Sequence, residues 1–452
     1  MIDAKQEQEY RECAQKTVEL CRKAGAETAV VQVHISREFD LELRAGEVEN
    51  LSEAESYSIS ITVSKNHRRA SIHSCDFSET EVKSLVERAM TLCRYTDEDP
   101  FYDLPEKAWL ADQFPDLEMY DPALMSWSVD AKVALAKNLE ALALAADSRL
   151  QSDGSGISTQ MSFGVLANSL GFCQGQYTSG MSLGVSLFAE DSVSSGTLNT
   201  GRKQSGGWYT QSRFIEDLEA PDSLAQKAAH QVLSKLGSRK PPTGALPVYF
   251  EPTIARSFWR HLLSASQGGA IYRKESFLVD ALNQKIFPEF VQITENPFIP
   301  RGLASRSFDD EGVATRKMDL VEQGRLNTFL LSCYSARKLG MVSTGHAGGS
   351  HNIIVNPGPL SESQILKEMG RGVWINEVSG QGVNIATGDY SRGASGFWVE
   401  NGECQYPISE FTLNGDLAQM FRELCAIGVE PEPGHAILTP GLWINGMTIS
   451  GT

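Results

Sequence analysis

Apolar positions recur in two different rhythms along the first hundred residues. Tyr10, Cys13, Ala14, Thr17 and Cys21 stand three or four apart, the spacing of one helical face, and Gly25 sits where a left-handed residue would end that helix. The period then falls to two. Ala29, Val31, Val33 and Ile35 oppose Val30, Gln32 and His34, while Tyr57, Ile59, Ile61 and Val63 alternate with serines and a threonine, so two half-buried strands are predicted. Ser78 and Glu81 make a capping-box pattern that opens a helix with the apolar stripe Val82, Leu85, Val86, Ala89 and Cys93.

Residues 97–128 lose both rhythms. They are acidic and punctuated by Pro100, Pro105, Pro115 and Pro122, as suits an ordered crossover on a surface. An Ala- and Leu-rich helix is predicted from Asp130 to Ala146, followed by a Gly- and Ser-rich stretch at 150–215. Within that stretch Met161, Phe163 and Val165, and later Met181, Leu183, Val185 and Leu187, alternate as strands, with a turn at Asn168–Gly171. A further helix is predicted near Ala225–Leu236, and the run Ser238-Arg239-Lys240-Pro241-Pro242 reads as a boundary. Beyond it short apolar runs alternate with glycine turns. Val248, Phe250, Phe329, Leu331, Phe397, Val399 and Ile449 are strand candidates, and helices are predicted at Pro252–Ala265 and after Ser361, with Gln364 at the capping-box spacing.

The prediction is a multidomain α+β chain. It has an N-terminal α/β layer domain at 1–100, a central α+β domain at 121–237 and a mainly antiparallel β domain with a few helices at 244–452. Its 452 residues exceed the roughly 250–300 that one core supports, which agrees with several units. No apolar run reaches the length of about 18 residues that spans a bilayer, and the Met1–Glu7 segment is polar; a cytoplasmic chain without membrane contact is expected. A net charge of −17 would repel phosphate backbones, so direct nucleic-acid binding is disfavoured. The eight cysteines show no CxxC pairing and read as reduced thiols, with Cys13 and Cys93 as small hydrophobes on helix faces.

Candidate chemistry is sparse. No GxSxG elbow, P-loop or dinucleotide fingerprint occurs. His346 and His351, flanking Ala347-Gly348-Gly349-Ser350, are the closest histidine pair. They could converge on a metal with Asp389 or His435, but no third ligand stands at fixed spacing, and a glycine-enabled turn that admits a peptide backbone is the preferred reading. Asp309-Asp310-Glu311-Gly312 lacks the ligand spacing of a calcium loop and reads as a solvated turn before a strand. Asp389 and Arg392 serve either as a clamp on a substrate or partner, or as an internal salt bridge within Gly388–Gly393.

Six ordered motifs between residues 272 and 402 carry a resemblance. Tyr272-Arg273-Lys274, Phe308-Asp309-Asp310-Glu311-Gly312, Tyr334-Ser335-Ala336-Arg337-Lys338-Leu339-Gly340, Ser343-Thr344-Gly345-His346-Ala347-Gly348-Gly349, Thr387-Gly388-Asp389-Tyr390-Ser391-Arg392-Gly393-Ala394 and Phe397-Trp398-Val399-Glu400-Asn401-Gly402, with Asn168-Ser169-Leu170-Gly171 earlier, resemble the PmbA-type (TldE-type) branch of the TldD/PmbA family of zinc metallopeptidases. That resemblance implies a heterodimer with a TldD-type catalytic subunit. There an HExxxH helix and a cysteine near the C-terminus hold zinc, and unfolded or extended peptides are cleaved. The biology it implies is peptide-antibiotic precursor processing and antitoxin degradation, with only an indirect effect on DNA gyrase. Here the Tyr272-Arg273-Lys274 anchor places the corresponding helix at Arg260–Ser266, where Leu262 and Ser266 replace the base and the second ligand. Between Leu246 and Arg301 the only histidine is His261. Gly434-His435-Ala436 occupies the region where the cysteine would be expected. No catalytic residue and no metal or cofactor of this chain's own are therefore expected, zinc being assigned to the partner, and a homodimer is left open for the isolated chain. Arg273, Gly345, His346, Gly348, Gly349, His351, Gly388, Asp389 and Arg392 are the candidates for the substrate cleft or the partner contact. The alternative is a stand-alone homodimer that binds peptides or proteins without cutting them.

Overall fold

The computed structural model describes residues 4–191 and 202–451; Met1 to Asp3 of the polar start, and part of the Gly- and Ser-rich stretch, lie outside them. Six strands, β1 (Thr28–Arg44), β2 (Glu47–Lys65), β3 (Arg68–Ser74), β4 (Gln151–Asn168), β5 (Cys173–Glu190) and β6 (Lys203–Ser212), form one sheet in the order β3-β2-β1-β4-β5-β6. Every pairing in it is antiparallel. β1 pairs with β4 so that Val33 faces Val165 and Leu41 faces Ile157, which joins the stretches read at 1–100 and 121–237 in a continuous sheet.

Four helices cover its apolar face: α1 (Ala4–Lys23), α2 (Glu79–Cys93), α3 (Val129–Ala145) and α4 (Pro221–Leu233). Ala29, Val31, Val33 and Ile35 of β1 pack in the core beneath α1 and α2, and Phe39, Leu41 and Leu43, on the same side of the strand, pack beneath α3 and α4. The Ser78 hydroxyl accepts from the Glu81 amide at the start of α2, as the capping pattern predicts. None of the eight cysteines is paired; the Cys93 thiol is buried and donates to the Arg68 carbonyl at 3.0 Å.

The C-terminal region contains, in chain order, β7 (Gly244–Phe250), α5 (Pro252–Ala265), α6 (Gly268–Tyr272), β8 (Ile293–Glu295), β9 (Met318–Glu322), β10 (Arg325–Leu326), α7 (Cys333–Leu339), β11 (Ile353–Val355), α8 (Glu362–Met369), β12 (Gly372–Val383), β13 (Asp389–Glu400), β14 (Glu403–Asp416), α9 (Leu417–Arg422), β15 (Leu424–Pro431), β16 (Ile437–Leu438) and β17 (Pro440–Ser450). The larger sheet runs β14-β13-β12-β7-β17-β15, and β14 also pairs with β17, so that sheet closes on itself; the smaller runs β10-β9-β8-β11-β16. The fold is α+β with mainly antiparallel pairing, the parallel pairs among the described residues being β7 with β12 and β11 with β16. Phe329 and Leu331, read above as strand positions, lie outside the named strands, in a buried loop whose carbonyls receive the Thr344 hydroxyl.

The 97–128 crossover straps the two regions together. Its Ala111 amide donates to Gly312, and its Leu117 carbonyl accepts from Arg301 at 2.8 Å. Just beyond β6 the buried Arg213 guanidinium donates to the carbonyls of Ser179, Gly302 and Leu303, fixing the edge of the first sheet to the C-terminal region. Burial lowers its pKa to about 10, so it stays protonated at neutral pH.

Candidate functional site

α5 stands between two environments. Ala255, Phe258, Trp259, Leu262 and Ala265 are buried, with Phe258 edge-on to Phe421 and the Trp259 indole donating to Thr439. A polar stripe at i, i+3, i+4, i+7 and i+11, formed by Thr253, Arg256, Ser257, Arg260 and Ser264, looks instead into a cleft. The cleft has a volume of about 590 Å³ and is walled by Tyr209 and Gln211 of the edge strand β6, by Gly349–His351 and by His435–Ile437. An adjoining hollow of about 220 Å³ shares Arg256 and His435 and extends to Lys235 and Glu251.

The electrostatics of this cleft are mixed. Arg256 Nε donates to the Thr253 carbonyl at 3.3 Å, while its buried Nη1 has no hydrogen-bond partner. Burial pushes the Glu251 carboxyl up to about 7, so near neutrality it exchanges between charged and neutral forms. His435 Nδ1 lies 2.9 Å from Gln211 Nε2, which ties the 434–436 turn to β6. His261 is not on the polar stripe: it packs against Tyr390, its Nε2 is buried without a partner, and burial pushes its pKa down to about 4. The stripe that faces the cleft thus offers hydroxyls and guanidinium groups, and a hydrolytic zinc held by α5 does not fit these residues.

His346 and His351 do converge, but with Glu295 rather than with Asp389 or His435. Gly345, Gly348 and Gly349, at φ of +76°, +97° and +112°, wrap the 344–351 loop so that both imidazoles meet the carboxylate at the end of β8. His346 Nε2 lies 2.6 Å from Glu295 Oε2, and the His351 amide donates to Oε1 at 2.6 Å. Thr344 Oγ1 is 2.8 Å from His346 Nδ1. The three residues are 0%, 3% and 2% exposed for Glu295, His346 and His351, and one donor atom from each lies within 4.8 Å of the others. Burial alone would raise the Glu295 carboxyl, but the His346 hydrogen bond and the closeness of both imidazoles outweigh it and hold the pKa down at about 2. The third donor that no fixed spacing in the sequence supplied is thus brought in by the fold. Glu295 continues the buried alternation of Val291 and Ile293, and a charged residue in that register was the available signal.

The other candidates disperse. Arg273 is exposed, bonded to Glu275 and beside the Tyr272 ring. Gly388, Asp389 and Arg392 lie at the start of β13, where Asp389 bonds to the Thr387 hydroxyl and Arg392 to the Ser379 carbonyl. The internal Asp389–Arg392 salt bridge does not form, because both side chains find closer local partners. Asp309, read as part of a solvated turn, is instead buried: it accepts from the amides of Glu311, Val313 and Ala347, and burial raises its pKa to about 6. Asp310 is exposed and pairs with Arg306.

Comparison with known proteins gives the same family along most of the chain. Residues 29–93 match the PmbA/TldA metallopeptidase domain 1, residues 124–236 its central domain and residues 243–451 its C-terminal domain. The chain is 39% identical over 428 residues to the metalloprotease PmbA of Escherichia coli O157:H7, covering 94% of this chain and 92% of that protein. A crystal structure from Bacteroides thetaiotaomicron, described as a modulator of DNA gyrase, superposes over 100% of both chains with a TM-score of 0.92 at 27% identity. TldE from Thermococcus kodakarensis shares the fold, with a TM-score of 0.84 at 20% identity over 97% of this chain and 100% of that one.

Proposed function

The chain belongs to the PmbA/TldD family of metallopeptidases, and from that premise we propose that it is the subunit that shapes the peptide cleft of a heterodimeric peptidase while a TldD-type partner carries the hydrolytic zinc. One observation carries the reading. The helix on which the resemblance places the zinc motif presents Thr253, Arg256, Ser257, Arg260 and Ser264 to the cleft, and its one histidine turns to Tyr390. Hydrolysis by zinc needs about three protein ligands, an open position and a carboxylate that takes the proton from water. Hydroxyls and guanidinium groups supply none of these, yet they suit recognition of a polar peptide backbone and its carboxylates.

Under this reading the edge strand β6 and the stripe of α5 are two walls of a passage that admits extended, not folded, chains. Arg256 acts on substrate through the guanidinium that it brings to the wall of this passage. The substrates are unfolded or extended peptides, including peptide-antibiotic precursors and antitoxins, and any influence on DNA gyrase is indirect. No helix among the described residues is long and apolar enough to cross a membrane, and the complex is proposed to work in the cytoplasm. The test is co-purification with a TldD-type chain followed by cleavage of an unstructured peptide. Equal target binding with and without that chain would favour the stand-alone binding protein instead.

A further inference from the structure

The protein's own hydrogen bonds leave His351 incomplete. Both its ring nitrogens are buried without a hydrogen-bond partner, and although Nδ1 comes within 3.2 Å of Glu295 Oε1, that approach lacks hydrogen-bond alignment. A neutral imidazole always carries one donor and one acceptor. Nδ1, which points at the carboxylate cluster, is therefore stranded in a site from which solvent is excluded, a cost of about 1–3 kcal/mol for an unpaired group. An orphan of this kind in a well-packed interior calls for a bound ion or a water.

The surrounding donors select between them. Two imidazoles and a carboxylate are the set preferred by borderline divalent cations such as zinc. Bonds of about 2.0–2.2 Å put neighbouring ligand atoms of a tetrahedral ion about 3.3–3.6 Å apart. The 3.2 Å between His351 Nδ1 and Glu295 Oε1 is close to the short end of that range. His346 Nε2, 2.6 Å from Glu295 Oε2, needs to withdraw by about 0.7–1.0 Å to reach the same ligand spacing. The outer contacts are also in place. Thr344 Oγ1 receives the Leu331 amide at 2.7 Å and lies 2.8 Å from His346 Nδ1, which orients the ring with Nε2 toward Glu295.

We propose that Glu295, His346 and His351 bind one divalent transition-metal ion of the zinc class, and that the ion fastens the 344–351 loop to β8. Gly349, Ser350 and His351 form part of the cleft wall, so the ion would set the shape of that wall. Its role is structural. The one carboxylate of the cluster is itself a ligand, which leaves no base beside the ion to activate water. The inference goes beyond the proposed partnership and is independent of it, since it concerns this chain alone.

The full chain, stripped with a chelator, is titrated with Zn²⁺ by calorimetry and with Co²⁺ by visible absorption. One equivalent is expected to bind, with the d–d bands of a nitrogen- and oxygen-ligated cobalt site and a metal-dependent rise in melting temperature. His351→Ala and Glu295→Gln are expected to abolish stoichiometric binding. Thr344→Val keeps all three donors, so it serves even where those variants do not fold, and it is expected to weaken binding about 10- to 100-fold. Absence of stoichiometric binding to the native chain, as a buried water or a plain imidazolium–carboxylate pair would give, overturns the proposal. So does undiminished binding by His351→Ala, or cobalt–thiolate charge-transfer absorption that assigns the ion to the exposed Cys75, Cys404 or Cys425.

Discussion

His261 and Tyr390 meet edge-on, 6.0 Å between ring centroids, and that contact holds the one histidine of α5 among packed side chains instead of on the stripe that lines the cleft. Its imidazole is half-buried, its buried Nε2 lacks a partner, and protonation is disfavoured down to about pH 4. A base depressed from its ordinary 6.5 contributes stability in full above pH 6.5 and loses it as the pH falls toward 4. His261→Leu is therefore expected to flatten the fall in melting temperature between pH 6.5 and 4. Peptidase activity of the reconstituted pair should stay within about twofold, since a surface or packing change away from the reacting groups has little leverage on the barrier. Loss of hydrolysis in this variant would show that the histidine faces the chemistry after all.

Arg256 is predicted to act on substrate binding. Replacing it with Met keeps the stem and removes the guanidinium from the cleft wall. Hydrogen bonds made by charged groups contribute about 1.5–3 kcal/mol, so KM of the reconstituted enzyme for an unstructured peptide should rise about tenfold or more while kcat changes little. An equal loss in kcat with KM unchanged would place the arginine in the transition state rather than in binding.

Glu251 gives the opposite pH signature to His261. Its carboxyl is raised from 4.5 to about 7 by burial, so the folded protein prefers it protonated. Stability from this group is whole below pH 4.5, declines as the pH rises to about 7, and is level above. Glu251→Gln should match the native chain in chemical denaturation at pH 4 and exceed it at pH 8. A variant less stable than the native chain at pH 8 would mean that the carboxylate has a cationic partner in the fold.

Gly348 has φ of +97°, and a Cβ there would lie 2.3 Å from Asp310 Oδ2. Both the left-handed backbone and the contact oppose a side chain, although Asp310 is exposed and can move. Gly348→Ala is expected to destabilise the fold by about 1–3 kcal/mol, read as a lower denaturation midpoint. An unchanged midpoint would argue that the loop does not need this conformation.

Local rules made the longer helices legible, while the short α6, α7 and α9 were not read. The capping pattern at Ser78 and Glu81, the box at Ser361 and Gln364, and the Pro252–Ala265 span all appear in the structure, because each depends on neighbours a few residues away. Strand lengths were not legible in the same way. β1 runs on past Ile35 to Arg44, since Phe39, Leu41 and Leu43 keep the period of two across an intervening Arg37, and β2 begins ten residues before Tyr57 in a polar stretch without apolar alternation. The pairing of β1 with β4 spans more than a hundred residues and left no local trace.

The candidate site divides along the same line. The glycine turn between His346 and His351 was visible as spacing, while Glu295 belongs to a three-residue strand 51 positions before His346. Asp309 looked solvated because its neighbours Asp310 and Glu311 are charged, but its carboxylate collects three amides that would otherwise be stranded in the turn. Arg256 and Arg260 stood out only once the cleft showed which side of α5 they share.

The central claim is that this chain completes a peptidase without supplying the hydrolytic ion. Its most direct test is cleavage of one unstructured peptide by the purified chain alone, by a TldD-type chain alone and by the two together. The account predicts turnover by the pair well above the sum of the separate rates, with none from this chain alone. Metal-dependent cleavage by this chain in isolation, abolished by His346→Ala, would contradict it.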